Sequence, residues 1–294
     1  MPLSAVAAGG GGVLAGAALG ALLYRAMARR SAAAAAASAA AAVFSPKPDR
    51  SWTSGAIPSA IPSAFQPVPD AEMVRVDPSA LPPGKSAYAL CISAVVPRPV
   101  AFVSSLSADG VANLAPFSFF GLMCHDPPTL VFCAVRRKSE PKDTLANVLH
   151  SKECVVHIID ERIVEAANAC CGEYAPEVDE FELSGLSKAA SSLPGGTPRV
   201  AEALVAMDCT VTKTEDLVGR SGEVTATMVF CRVDLFHLHP GVARKTASGS
   251  DYVDLSALSP ISRLGGNDYG RTGGVFSMPR PAAVPVVPGA NARA

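Results

Sequence analysis

The chain has no excess of charge of either sign: 25 lysines and arginines stand against 26 aspartates and glutamates, for a formal net charge of -1. A nucleic-acid-binding chain needs a basic face or basic runs, because phosphate neutralisation supplies most of its non-specific affinity. That class is excluded. Metal-site and disulfide spacings are missing as well. None of the eight cysteines (Cys91, Cys124, Cys133, Cys154, Cys170, Cys171, Cys209 and Cys231) sits in a C-x-x-C pair or beside a histidine at zinc-finger spacing. Most lie in apolar runs, as buried free thiols of a reducing compartment do. The neighbours Cys170 and Cys171 admit an adjacent-residue disulfide or a reactive thiol site, but packing thiols near a helix end are the commoner case, and they are given no role. No G-x-G-x-x-G follows a strand-like run, which excludes a Rossmann domain. A G-x-S-x-G, a Ser-His-Asp arrangement and a carboxylate pair are all absent. His237 and His239 lie two apart on one strand face, but spacing offers no third ligand, so solvent-facing strand-end histidines and no metal site are expected.

What the chain does have is apolar content, 49% over 294 residues, enough for one substantial core. The mean hydropathy of +0.28 is inflated by an alanine- and glycine-rich first fifty residues. No charged side chain occurs from Met1 to Tyr24; Arg25, Arg29 and Arg30 follow, then an alanine-serine tract, and the first acid is Asp49. Residues 1–44 therefore read as a transit peptide to an organelle, mitochondrion or plastid. Gly12, Gly16 and Gly20 leave a membrane anchor over residues 1–24 as the alternative, and a plain disordered leader as a third option. A membrane enters only through that anchor. Residues 45–83 carry nine prolines and no sustained hydrophobic period, and read as a linker or extended strap. The domain proper is 84–281, and 282–294 form a fraying tail.

Within the domain, valine, threonine and cysteine mark strands over Val100 to Ser105, Val111 to Phe117, Thr129 to Val135, Cys154 to Ile159, Ala203 to Thr214 and Gly222 to Leu238. Ala108-Asp109-Gly110 turns the first two into a hairpin. Helices are predicted over Thr144 to Leu149, with Asp143 or Thr144 as cap, and over Ile163 to Cys171. Many strands around one core with helices inserted between them give a mainly β, α+β barrel instead of alternating βαβ units.

Two segments carry chemistry. Asn113 to Phe120 combines aromatics with fixed polar groups around Pro116, which has no backbone N–H. Strand alternation would put Asn113 and Ser118 on opposite faces, so both reach one ligand only if the chain bends there. The second segment is Arg136-Arg137-Lys138 followed by Lys142-Asp143-Thr144 at a helix start. It offers cations, a hydroxyl and free helix-start amides to a dianion such as a phosphate. Asp143 would repel that anion, so capping is its expected task while Lys142 and Thr144 face the ligand. A packed hairpin end and a solvated basic loop are the plain structural alternatives.

Pro97-Arg98-Pro99-Val100-Ala101-Phe102-Val103-Ser104-Ser105, Asp109-Gly110, Asn113-Leu114-Ala115-Pro116-Phe117-Ser118-Phe119-Phe120 and Asp126-Pro127-Pro128 stand in order along the chain. Lys142-Asp143-Thr144, Asp179-Glu180-Phe181, Pro198-Arg199-Val200, Ser262-Arg263-Leu264-Gly265-Gly266 and Tyr269 continue the series. The ordered set resembles the flavin reductase-like family over nearly the whole domain. That resemblance implies an FMN-binding split β-barrel, usually a homodimer, which uses NADH or NADPH to reduce flavin or another small-molecule acceptor. It further implies flavin contacts from Ser104, Ser105, Asn113, Leu114, Ala115, Phe117, Ser118, Arg137, Lys142, Thr144, Arg263 and Tyr269, with no catalytic acid or base. Which of Arg136, Arg137 and Lys138 meets the phosphate stays open. The alternative is a non-catalytic FMN-binding electron carrier or sensor module.

Overall fold

A computed structural model of the chain describes residues 43–45, 69, 73–82, 84–136 and 141–280. Strands β1 (Ala101–Leu106) and β2 (Ala112–Phe117) form the first hairpin. Its turn needs a left-handed residue, and Gly110 takes φ +83° there while its amide donates to Ser107 O. The chain then bends at Ser118 and Phe119, so β2 and β3 (Phe120–His125) never pair with each other. With β4 (Pro128–Val135), β5 (Glu153–Ile158), β6 (Val205–Val218) and β7 (Val224–Leu238) they make one seven-stranded sheet, ordered β2-β1-β5-β6-β7-β4-β3 and antiparallel at every pairing.

The sheet is a split barrel, curled on itself but not closed. Phe117 on edge strand β2 packs against Phe132 on β4, at the other side of the strand order, with ring centroids 4.9 Å apart. The Cys133 amide donates to Phe119 O across the same gap. Pro116 stands on this edge, where its missing N–H costs the sheet no hydrogen bond.

Alternation along β1 sorts two cores. Ala101 and Val103 face the barrel interior with Phe132, Val156, Met207 and Val229, capped by Leu145 and Val148 of helix α2 (Asp143–Ser151). Phe102 and, on β2, Leu114 face the other way, into a second core with Ile159, Ile163, Ala167 and Phe181. Helices α3 (Val164–Ala169) and α4 (Glu180–Ser184) supply part of that layer. Burying both faces of β1 commits the hairpin to one register, since a slip by one residue would swap the two sets.

Several elements differ from the sequence expectation. Helix α1 (Tyr88–Ala94), α4, β3 and a late hairpin, β8 (Ile261–Arg263) with β9 (Tyr269–Arg271), had no period long enough to show. Val43–Phe44, at the end of the stretch assigned to the leader, pairs in parallel with Gly274–Val275, and Ser45 continues the ladder with its amide on Val275 O. The rest of the leader, the tail after Arg280 and most of the linker lie outside the described residues. Among the described residues no helix is long and apolar enough to cross a membrane.

Candidate functional site

Helix α2 begins at Pro141-Lys142. Lys142 is extended (φ -69°, ψ 155°) in the N-cap position, and no side chain caps the helix. The expected capping by Asp143 is therefore corrected: Asp143 is the first helical residue, and it is among the residues that line a cavity. Helix geometry leaves the first amides of α2 without intrahelical partners and gives that end partial positive charge. Lys142 adds a full charge, its Nζ 5.9 Å from the centre of the Phe117 ring.

Thr144 turns inward. Its hydroxyl donates to Asn113 Oδ1 at 2.6 Å, so this hydrogen is not offered to a ligand. Ser105 Oγ donates to the same oxygen at 3.3 Å and itself accepts from Asn147 Nδ2 at 3.0 Å. Asn113 Nδ2 donates to both carboxylate oxygens of Glu180 at 3.1 Å, and the Leu114 amide adds a third bond to Glu180 at 3.0 Å. All five of these polar side chains are buried. The donors run one way, Asn147 to Ser105 to Asn113 to Glu180, and end on one carboxylate. A chain of this polarity strengthens each of its bonds. Burial pushes the Glu180 carboxyl above its ordinary value although the bonds from Leu114 and Asn113 oppose the shift. Asp143 is also pushed up, by burial and then by Glu177, against the pull of Lys142.

The two segments singled out from sequence meet here. A cavity of about 260 Å³ is lined by Asn113, Ala115, Pro116, Lys142, Asp143, Thr144 and Glu180, among others. A second, of about 600 Å³, adjoins it and shares Pro116 and Cys171. Ser118, Asn168, Asn267, Arg263 and Tyr269 form its polar wall, Val100 and Ile159 part of its apolar one. The bend after Phe117 is what brings Ser118 round to this side. Arg263 lies 4.5 Å over the Tyr269 ring and donates to Gly266 O at 2.8 Å, which fixes it in the β8–β9 turn where Gly266 takes φ +58°. Tyr269 Oη donates to Asn168 Oδ1 at 2.8 Å, and burial raises its phenol.

Other expected contacts fall elsewhere. The Ser104 side chain points away, its hydroxyl donating to Pro198 O at 2.5 Å. Ser105 serves the network behind the first cavity. The side chains of Leu114 and Phe117 belong to the second and first cores. Arg137 lies outside the described residues. Arg136 is held by Thr227 and Asp216. Sequence reasoning passed over Cys171, which lines both cavities, although burial raises its thiol. It also passed over Asn147, which was legible three residues after Thr144 on the same helix face. All eight cysteines are free, as expected. His237 is not a solvent-facing strand end: its Nε2 bonds the buried Asp208 at 2.9 Å. Among the described residues no group of histidine, cysteine and acid side chains could hold a metal ion.

The two hollows adjoin at Pro116 and Cys171, the smaller beside the start of α2 with Lys142 and the acidic residues Asp143, Glu173 and Glu180. The larger, at about 600 Å³, is within the usual range of small-molecule sites, about 300–1,000 Å³, and the smaller, at about 260 Å³, falls just under it. The smaller offers the α2 amides and Lys142; the larger pairs apolar walls with hydroxyl, amide and guanidinium groups.

Residues 93–254 match the model of the flavin reductase like domain. An uncharacterized protein of Halalkalibacterium halodurans is 40% identical over 199 residues, 67% of this chain and 92% of its own length. Among solved structures, nitrilotriacetate monooxygenase component B from Bacillus cereus superposes with TM-score 0.65 at 32% identity, covering 70% of this chain and 98% of that one. The 2-nitrobenzoate 2-nitroreductase NbaA of Pseudomonas fluorescens gives 0.62 at 29%, over 72% and 98%.

Proposed function

Since the chain belongs to the flavin reductase-like domain family, we propose that it is a flavin-dependent oxidoreductase that binds FMN across the two adjoining hollows and oxidises NADH or NADPH. The observation that carries this is the convergence of the β2 bend and the start of α2 on cavities that share Pro116 and Cys171. The names of the two solved relatives, a nitroreductase and a monooxygenase component, are both of redox proteins.

Lys142 and the first amides of α2 hold the phosphate end. Asp143, Glu173 and Glu180 also line that hollow, and the Glu180 carboxylate is already taken up by the Asn113 amide and the Leu114 N–H. Ser118, Asn168, Arg263 and Tyr269 orient the polar edge of the ring, and Val100, Pro116 and Ile159 exclude water from its apolar side. A bound flavin would supply the two-electron chemistry itself, so the protein's share is placement and electrostatic stabilisation of the reduced ring. No acid or base side chain is needed for hydride transfer.

The test is anaerobic titration of the purified protein. A yellow protein whose flavin absorbance bleaches with NADH or NADPH supports the proposal. A yellow protein whose flavin stays oxidised under excess of both is an electron carrier or sensor instead, and a protein that takes up no FMN sinks both readings.

We further propose a homodimer. Tyr88, Leu90, Val95 and Val96 on and just after α1, and Leu122 and Met123 on edge strand β3, are large apolar side chains left exposed in the single chain.

A further inference from the structure

Arg98 is buried, yet among the described residues no carboxylate pairs with it. Backbone carbonyls take its charge. Nη1 donates to Ile92 O at 2.6 Å and Val95 O at 2.8 Å, at the end of α1, and Nη2 donates to Leu264 O at 2.8 Å, just past β8. Its own amide and carbonyl bridge Arg263 at 3.0 and 2.9 Å. These bonds fix the guanidinium between three segments. Its remaining directed contact is Nε to Ser118 Oγ, a long one at 3.5 Å.

That contact decides what Ser118 can offer. A hydroxyl has one hydrogen and two lone pairs. An Nε–H on a cation orients a lone pair toward itself, so the hydroxyl hydrogen must point elsewhere. Ser118 lines the larger hollow, and Arg98 does not. We propose that Arg98 is a positioning residue that fixes Ser118 as a hydrogen-bond donor into this hollow, backed by a buried positive charge, so that the hollow holds a reduced, more negatively charged ring more tightly than an oxidised one. The inference rests on the flavin reading above and adds to it the residue that sets the preference between the two redox states. A donor aimed at a site of developing negative charge, in a place shielded from water, gains strength as the charge appears.

A strut that only tied α1 to β8 would affect folding and leave this preference alone. The experiment separates the two. FMN is titrated into the wild type, Ser118→Ala, Arg98→Met and the double variant, the flavin midpoint potential is measured against reference dyes, and apo-protein unfolding is followed in parallel. Ser118→Ala is expected to leave apo stability nearly unchanged while weakening reduced relative to oxidised flavin by about tenfold, equivalent to a midpoint about 30 mV lower for a two-electron couple. Arg98→Met should lower the midpoint and destabilise the apo-protein, and the double variant should add little to the midpoint shift, because the two side chains act as one unit. An unchanged midpoint in Ser118→Ala, or full additivity, overturns the proposal while the flavin reading stands. Failure of the wild type to bind FMN overturns both. Should Arg98→Met not fold, Arg98→Lys keeps the charge without the fork, and Ser118→Ala still decides.

Discussion

Single buried groups on β2 and β5 set both the shape of the site and the acid tolerance of the fold. Asn113 is saturated behind the first cavity: Glu180 takes its amide, Thr144 and Ser105 its carbonyl oxygen. It is thereby a rigid wall and not an adaptable contact. His157 is held neutral on the far side of β1, its Nδ1–H donating to Phe102 O at 2.8 Å and its Nε2 accepting from the Val200 amide at 2.9 Å. Protonation would set N–H against N–H, and burial depresses this group from 6.5 to about 4. Between those values the unfolded chain binds a proton that the folded chain refuses, so stability is lost as pH falls through the window. Glu180 acts in the opposite sense. Its raised carboxyl lends stability below the unfolded value of 4.5, which is lost as pH rises through the folded value. The histidine effect is isolated by comparing variants: from pH 7 to pH 4.5 the wild type should lose about 2 kcal/mol more than His157→Gln in urea unfolding. Equal losses would show that the imidazole is not neutral in the fold.

At the level of elements, the start of α2 separates two tasks that sequence assigns to one motif. Lys142 faces the cavity, and the Thr144 hydroxyl is spent on Asn113. Lys142→Ala should therefore weaken FMN binding by about tenfold with little change in apo stability, while Thr144→Val should destabilise the apo-protein by about 1–3 kcal/mol, since it strips a buried carbonyl oxygen of its shortest bond. Isothermal titration and urea unfolding on both variants check this. The reverse pattern would return the threonine to the phosphate. The hairpin end works by a comparable division. Pro116 sits where no ladder bond is lost, and the bend after Phe117 lets Asn113 and Ser118 border neighbouring hollows although they started on opposite faces of a strand.

For the whole molecule, the split in the barrel is also where it leaves apolar surface bare. Leu122 and Met123 are adjacent, and strand alternation would hide one of them; a register shift between Leu122 and Cys124 lets both stay exposed. Pairing with a second copy would cover them. Sedimentation velocity should show a dimer for the wild type, and Leu122→Lys with Met123→Lys should shift it toward monomer without loss of secondary structure. A wild-type monomer at micromolar concentration would remove the dimer proposal.

Local composition was enough for the strands. Valine- and threonine-rich runs with a glycine turn marked β1, β2, β4, β5, β6 and β7 to within a few residues, because period-two burial and turn chemistry are written along the chain. The ordered motifs likewise carried the family. Short elements such as α1, α4 and β3 escaped, since a turn or two of helix has no measurable period and tertiary contacts alone hold it in place. So did the division of labour in the site. Whether the Thr144 hydroxyl meets a ligand or Asn113, whether Asp143 caps or faces the cavity, and what Arg98 grips between two prolines depend on which partners arrive from other segments, Asn113 from 31 positions before Thr144 and Leu264 from 166 beyond Arg98 among them. Those partners are assembled only when the sheet curls and its two edges meet at Ser118.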